Sequence, residues 1–294
     1  ERIRLTGGEP LLRRNLPELA ARLAAVPGIR DLSLSTNGTR LAEFAGDLRR
    51  AGVSRLNVSL DSLDRSRVAQ IARRDVLPQI LDGLEAARGL GFRQIKINMV
   101  ALPDTSHSEI EAMAEYCIAR GFILRLIETM PVGQSGRSAG FIDLRPVMQR
   151  MREQFGLIDG VVPGGGPARY LVSPDRKFQI GFITAISQHF CDTCNRIRLA
   201  ANGTLHLCLG RDEAVDFRQL MRSGRSDAEI LAALQAGLDQ QAAQRYANVT
   251  PAEPQLTLHA LSLNIERLQL LYQARTFGGL VVYGVDGDDN TFLQ

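Results

Sequence analysis

Over the first 130 residues the hydrophobic positions fall into short β-type runs separated by stretches with helical spacing. Runs at Ile3–Leu5, Leu32–Ser35, Leu56–Leu60, Ile95–Val100 and Ile123–Ile127 predict five strands. Between them Leu16–Ala25, Leu41–Ala51, Pro78–Leu90 and Ser108–Arg120 predict helices. Pro78 suits a first helical turn, where its missing N–H costs nothing, and Ser108 with Glu111 has the spacing of a capping box. Strands alternating with helices in this way predict βαβ units and a parallel sheet.

The residues at the strand ends sharpen the picture. They read Thr6-Gly7-Gly8-Glu9-Pro10, Ser35-Thr36-Asn37-Gly38, Ser59-Leu60-Asp61, Asn98-Met99 and Glu128-Thr129-Met130. In parallel α/β barrels and sheets that carboxyl edge carries the active site, and five polar ends in succession exceed what turns alone require. A second region begins near Phe141. Its loop Pro163-Gly164-Gly165-Gly166-Pro167 is not a phosphate loop, because no Gly-Lys-Ser or Gly-Lys-Thr comes after it. Tyr170–Ser173 and Phe178–Ile183 predict a hairpin around Pro174-Asp175, and Leu220 to Leu238 reads as one or two helices. Beyond Gln240 only Gly278–Tyr283 resembles a strand. The expected division is therefore 1–140, 141–240 and a divergent tail, 241–294.

Composition changes this little. The 294 residues are 45% hydrophobic, enough for a substantial core, and a net charge of +3 does not suggest a nucleic-acid partner. No run approaches a membrane-spanning length, and no signal peptide opens the chain, so a cytoplasmic protein is expected. The first residues, Glu1-Arg2-Ile3-Arg4-Leu5, lie inside a predicted strand with no initiating Met, which predicts a fragment of a longer domain.

The strongest chemical signal is Phe190-Cys191-Asp192-Thr193-Cys194-Asn195-Arg196-Ile197-Arg198-Leu199, with Cys208 after a predicted hairpin at Asn202-Gly203. Three clustered cysteines favour a metal centre over disulfides. They suit a four-iron cluster with one open iron, or a Cys3His zinc site completed by His189 or His206. Arg196 and Arg198, on alternate strand positions, offer forked donors to a phosphate or carboxylate beside that metal. Lys96 lies within a strand among apolar neighbours and shares a face with Asn98; it is either an interior charge in use or an edge-strand surface residue. Arg125 has the same status. The fourth cysteine, Cys117, falls on a helical stripe with Met113 and Tyr116 and reads as a buried core thiol.

Taken in order, Leu5-Thr6-Gly7-Gly8-Glu9-Pro10-Leu11, Ser35-Thr36-Asn37-Gly38, Asn57-Val58-Ser59-Leu60-Asp61-Ser62-Leu63, Lys96-Ile97-Asn98-Met99-Val100, Ile127-Glu128-Thr129-Met130-Pro131-Val132-Gly133 and the Cys191–Leu199 block resemble the GTP 3′,8-cyclase family. This is the molybdenum cofactor biosynthesis protein A family of radical S-adenosylmethionine enzymes. The resemblance runs from Glu1 to about Leu238. It implies an incomplete (β/α) TIM-like barrel of the radical SAM type, plus a C-terminal region carrying a second [4Fe-4S] cluster. It implies that Cys191, Cys194 and Cys208 hold that cluster. Arg4, Ser35, Lys96, Arg125, Arg196, Ile197 and Arg198 would contact GTP, and Gly7, Gly8, Glu9, Ser59 and Met130 would bind S-adenosylmethionine. It also implies a homodimer and a product passed to cyclic pyranopterin monophosphate synthase.

Two departures qualify the expectation. The family's first cluster is held by a Cys-x3-Cys-x2-Cys motif upstream of Gly-Gly-Glu-Pro, which these residues do not contain, and the family ends in a double glycine, a role not assigned to the internal Gly278-Gly279. The expectation is a chain that binds GTP and one cluster without generating the radical. Two rivals stand beside it: another radical S-adenosylmethionine enzyme with an auxiliary cluster, and a non-catalytic nucleotide- or zinc-binding remnant.

Overall fold

The computed structural model describes residues 2–130, 139–162, 166–188, 196–208, 214–245, 255–259 and 279–284. All five expected strands form: β1 (Arg2–Gly7), β2 (Asp31–Thr36), β3 (Arg55–Ser59), β4 (Gln94–Ala101) and β5 (Ile123–Glu128). The helices between them are α1 (Leu16–Ala24), α2 (Leu41–Arg50), α3 (Arg65–Ala72), α4 (Leu77–Arg88) and α5 (His107–Arg120). Next come α6 (Leu144–Phe155), β6 (Ile158–Gly160), β7 (Arg169–Val172), β8 (Gln179–Ile183), β9 (Arg196–Leu199), β10 (Thr204–His206) and β11 (Ala214–Asp216). The last elements are α7 (Phe217–Arg222), α8 (Asp227–Arg245), β12 (Gln255–His259) and β13 (Gly279–Gly284).

The chain divides into two compact units, and α2 contributes residues to both. In the first, β1 pairs in parallel with β2 on one side and with the tail strands β12 and β13. The same unit holds an antiparallel trio, β9, β10 and β11. The second unit runs β3, β4, β5 and β8 in parallel, then β7 and β6 antiparallel. The mostly parallel α/β architecture agrees with the expected class; among the described residues no closed barrel forms.

Each parallel strand has an apolar face and a face bearing polar groups. Leu56 and Val58 on β3, Ile97 and Met99 on β4, and Leu124 and Leu126 on β5 are all fully buried. The amphipathic helices cover this kind of face, as with the fully buried stripe Ile110, Met113, Ala114 and Cys117 of α5. Cys117 is thus the core thiol its position predicts, and burial pushes it up to about 12. The opposite positions are Arg55, Asn57 and Ser59, then Lys96 and Asn98, then Arg125. Strands covered on both faces normally read as continuous apolar runs, so this polarity needs a reason.

Several local expectations shift. The α5 capping box lies two residues earlier than Ser108–Glu111. Ser106 Oγ accepts from the Glu109 N–H at 3.3 Å, and Glu109 Oε2 accepts from the Ser106 N–H at 2.9 Å. The chain leaves a turn closed by the Thr105 N–H on the Leu102 carbonyl, and Ser106 is the first residue able to cap the new helix. Helix α3 goes unpredicted because it buries only Val68 and has little apolar periodicity. It is fixed by charge instead: Arg67 forks onto Asp104 and pairs with Glu109. The hairpin expected at Asn202-Gly203 forms between β9 and β10, and the two helices expected near Leu220–Leu238 are α7 and α8. Among the described residues, no helix is long and apolar enough to cross a membrane.

Just past β3, Asp61 accepts from the Val100 N–H at 2.8 Å and so ties the end of β3 to β4. Burial raises its carboxyl from 3.8 to about 6, outweighing the Val100 N–H and the Arg67 charge. The folded chain therefore holds this proton more tightly than the unfolded chain. Its stabilising effect is complete below about pH 4 and is lost as pH rises through about 6, by up to about 3 kcal/mol. Urea unfolding across this window should show Asp61→Asn flattening the slope, since the amide oxygen still accepts from Val100.

Candidate functional site

In the first unit, β1 and β2 lie in register with Arg4 opposite Ser33 and Leu5 opposite Leu34. Arg4 and Thr6 therefore share a face with Ser33 and Ser35, while Ile3, Leu5, Leu32 and Leu34 form the fully buried opposite face. Arg4 and Ser35 are half-buried. The Gly-Gly turn comes directly after β1: Gly7 has a φ of 152°, which favours a residue without Cβ, and Gly8 is exposed. Glu9 caps the short 3-10 turn Pro10–Leu12, with Oε1 accepting from the Leu11 N–H at 3.0 Å. That fixes the carboxylate at the carboxyl end of β1.

On β9, Arg198 and Ile197 are buried and Arg196 is half-buried. Ile197 is fully enclosed, so only its backbone has anything to offer a ligand. Arg198 is in register with His206 on β10, and Cys208 stands two residues further on, half-buried. Burial first, and the Arg198 charge second, hold the His206 imidazole below its ordinary range. Cys191, Cys194 and His189 lie outside the described residues. Among the described residues no three metal-ligating side chains come together.

The second unit brings its candidates together directly. Register places Tyr170 on β7, Gly181 on β8, Arg125 on β5, Asn98 on β4 and Ser59 on β3 in a single transverse row. Asn57 and Lys96 form the next row back. Lys96 is 3% exposed and Arg125 is 6% exposed, so Lys96 is an interior charge on a central strand and not an edge residue. Arg125 donates through Nε to Asn98 Oδ1 at 2.8 Å and through Nη2 to Asn57 Oδ1 at 2.6 Å. Lys96 donates through Nζ to the Tyr170 hydroxyl at 3.1 Å and lies 5.3 Å from the ring centroid. These acceptors are neutral: they replace water and aim the cations. Met130, half-buried, lies just beyond the end of β5.

Asn57, Tyr170 and Gly181 were not among the candidate site residues. Asn57 was open to detection from the polar alternation Arg55-x-Asn57-x-Ser59. Tyr170 had no local signal, because its partner lies 74 residues away. Glu128 has a different job. Buried on the helix-covered face, it accepts from the backbone N–H groups of Leu144, Ile186 and Ser187 at 3.2, 2.9 and 3.0 Å and from the Ser187 hydroxyl. It staples the end of β5 to the start of α6 and to the turn after β8.

Comparison with known proteins fits these features. A family described as the radical SAM superfamily matches residues 1–117, and one described as Molybdenum Cofactor Synthesis C matches residues 122–247. The pairing marks a radical S-adenosylmethionine enzyme of molybdenum cofactor synthesis. The GTP 3′,8-cyclase of Ectopseudomonas mendocina is 44% identical over 233 residues, which cover 78% of this chain and 70% of that protein. That of Caulobacter vibrioides is 39% identical over 263 residues, covering 88% and 75%. The chain belongs to the GTP 3′,8-cyclase family. Among solved structures, coproporphyrinogen III oxidase (HemN) from Escherichia coli aligns over 80% of this chain and 64% of its own, at 11% identity and a TM-score of 0.46, and adds nothing to the assignment.

The staple yields a prediction. Glu128→Ala leaves three backbone donors without their acceptor and should cost about 3 kcal/mol or more, by the worth of hydrogen bonds to charged groups. Glu128→Gln keeps acceptor capacity and should cost less. Denaturant unfolding of the two variants against the parent chain measures the order.

Proposed function

We propose that this chain acts on GTP, forming (8S)-3′,8-cyclo-7,8-dihydroguanosine 5′-triphosphate, with S-adenosylmethionine and [4Fe-4S] clusters as cofactors. The observation that carries the reading is the pair of buried cations, Lys96 and Arg125, oriented by neutral acceptors on one polar sheet face. A buried cation so arranged is suited to an anionic ligand, and a triphosphate asks for several. Family membership supplies the rest of the reading.

The residues fit these groups chemically. Cys208, half-buried just beyond β10, would hold a cluster with Cys191 and Cys194. The turn at Gly7 and Gly8, the fixed carboxylate of Glu9, and the strand-end groups Ser59 and Met130 suit an amino-acid and ribose ligand. When bound, these cofactors supply the radical that takes a ribose hydrogen and lets the sugar carbon bond to the base. The protein's own part is binding and placement. In the second unit Lys96 and Arg125 are the proposed phosphate contacts; in the first, the family resemblance assigns GTP contacts to Arg4, Ser35, Arg196, Ile197 through its backbone, and Arg198. Holding sugar and base at reacting distance converts a rare encounter into an intramolecular step. The proposal includes a cytoplasmic homodimer whose product passes to cyclic pyranopterin monophosphate synthase.

Two measurements test this. Calorimetric titration should show GTP binding that Lys96→Met weakens roughly ten- to a hundredfold, the worth of one charge-assisted hydrogen bond. Equal affinity of the variant for GTP would refute the assignment of Lys96. Anaerobic reconstitution should load iron and sulfide in equal amounts, and Cys208→Ser should lower both; one zinc with no sulfide would favour the Cys3His alternative instead.

A further inference from the structure

The Tyr170 side chain has no place in the binding roles described so far, yet its geometry is specific. It belongs to β7, and Lys96 belongs to β4, with β5 and β8 between them. Three strand spacings are about 14 Å, so both side chains must lean across the sheet to meet. Gly181 makes this possible. A Cβ at that position would lie 2.8 Å from Tyr170 Cε1 and 3.1 Å from Arg125 Cγ. The bare backbone of β8 thus lets the phenol ring and the stem of Arg125 lie over it side by side. Behind the ring, Ile123, Val162 and Val172 form a buried apolar cluster against which Tyr170 packs. One flank of the ring is thus set against apolar side chains, and the phenol end reaches the ammonium.

We propose that Tyr170 is a positioning residue that holds the Lys96 ammonium, through its hydroxyl and ring, in the orientation that meets the anionic portion of the substrate. This rests on the reading of Lys96 as a phosphate contact. Lysine has four rotatable bonds and a compact, strongly hydrated charge, so an unrestrained ammonium gives up much freedom on binding an anion. The hydroxyl accepts one of three ammonium protons and the ring attracts the same charge. The hydroxyl of Tyr170 keeps its own O–H, a donor from which a phosphate oxygen can accept. Gly181 is part of the same device because it sets the space the ring occupies.

The composition of the chain makes the test direct. Lys96 and Lys177 are its only lysines, and the Lys177 side chain is 85% exposed. Protein labelled with lysine carrying carbon-13 at the ε position gives two signals, one an internal control. In the parent chain the Lys96 signal should be displaced from that of Lys177 by the ring current, and GTP should move it further. Tyr170→Leu should bring the Lys96 signal toward that of Lys177. Tyr170→Phe keeps the ring and should hold most of the displacement, while weakening GTP roughly three- to tenfold, the worth of about one hydrogen bond. Guanosine, without phosphates, should bind parent and Tyr170→Phe alike; a merely structural loss would weaken both ligands. Gly181→Ala, which displaces the ring from the other side, should shift the Lys96 signal and weaken GTP in the same sense.

A Lys96 signal unchanged by Tyr170→Leu in a chain whose Lys177 signal and unfolding midpoint match the parent overturns the proposal. So does equal weakening of GTP and guanosine in Tyr170→Phe. A Lys96 signal that responds to Tyr170→Leu but not to GTP overturns the phosphate assignment of Lys96 while leaving the Tyr170–Lys96 contact standing, so the two failures are told apart.

Discussion

A cation removed from water is tolerable only where fixed acceptors replace its hydration. Lys96 and Arg125 impose that constraint on the second unit, and Asn57, Asn98 and Tyr170 are answers to it. Asn57 and Asn98 face inward because Arg125 needs two oxygens at fixed points of its fork. Tyr170 crosses two strands because Lys96 needs one. Gly181 is bare because both long side chains run over it. The alternation of apolar and polar positions on β3, β4 and β5, unusual for parallel strands, arises from the same demand.

Glu128 shows the opposite solution to the same cost. Its carboxylate is as deeply buried as the cations, but it is surrounded by backbone donors from two other segments. Those donors satisfy it within the fold and leave its charge to hold elements together. The difference between a structural and a binding charge here lies in the partners. A carboxylate saturated by N–H groups is a joint, whereas an ammonium oriented by a phenol is aimed along a polar sheet face.

How far the sequence revealed this depends on the range of each interaction. Strands β1 to β5 were legible because their periodicity is local, and Cys117 because its stripe Met113–Cys117 is a single helical turn. The capping box moved from Ser108 to Ser106 because two pairs had the same spacing, and only the preceding turn chose between them. Lys96 was ambiguous between interior and edge until its neighbours β3 and β5 were known. Ser59 fell on a strand end that local pattern identified, but its row with Asn98, Arg125, Gly181 and Tyr170 depends on successive strand pairings that run from Ser59 to Gly181. Spacing marked the cysteine block as a metal site but left iron–sulfur and zinc open, and Cys191 and Cys194 lie outside the described residues.

The way the two units are threaded has a consequence for synthesis on the ribosome. The second unit takes its strands β3 to β8 from one continuous stretch, so each emerging strand meets its neighbour soon after leaving the exit tunnel. The first unit opens with β1 and β2 but receives β12 and β13 only much later. At ordinary elongation rates the interval between Thr36 and Gln255 lasts roughly ten to forty seconds. Throughout it, the pairing of β1 with β12 and β13 waits on strands not yet made. The order of emergence lets the second unit complete its strand pairings while the first still awaits its tail.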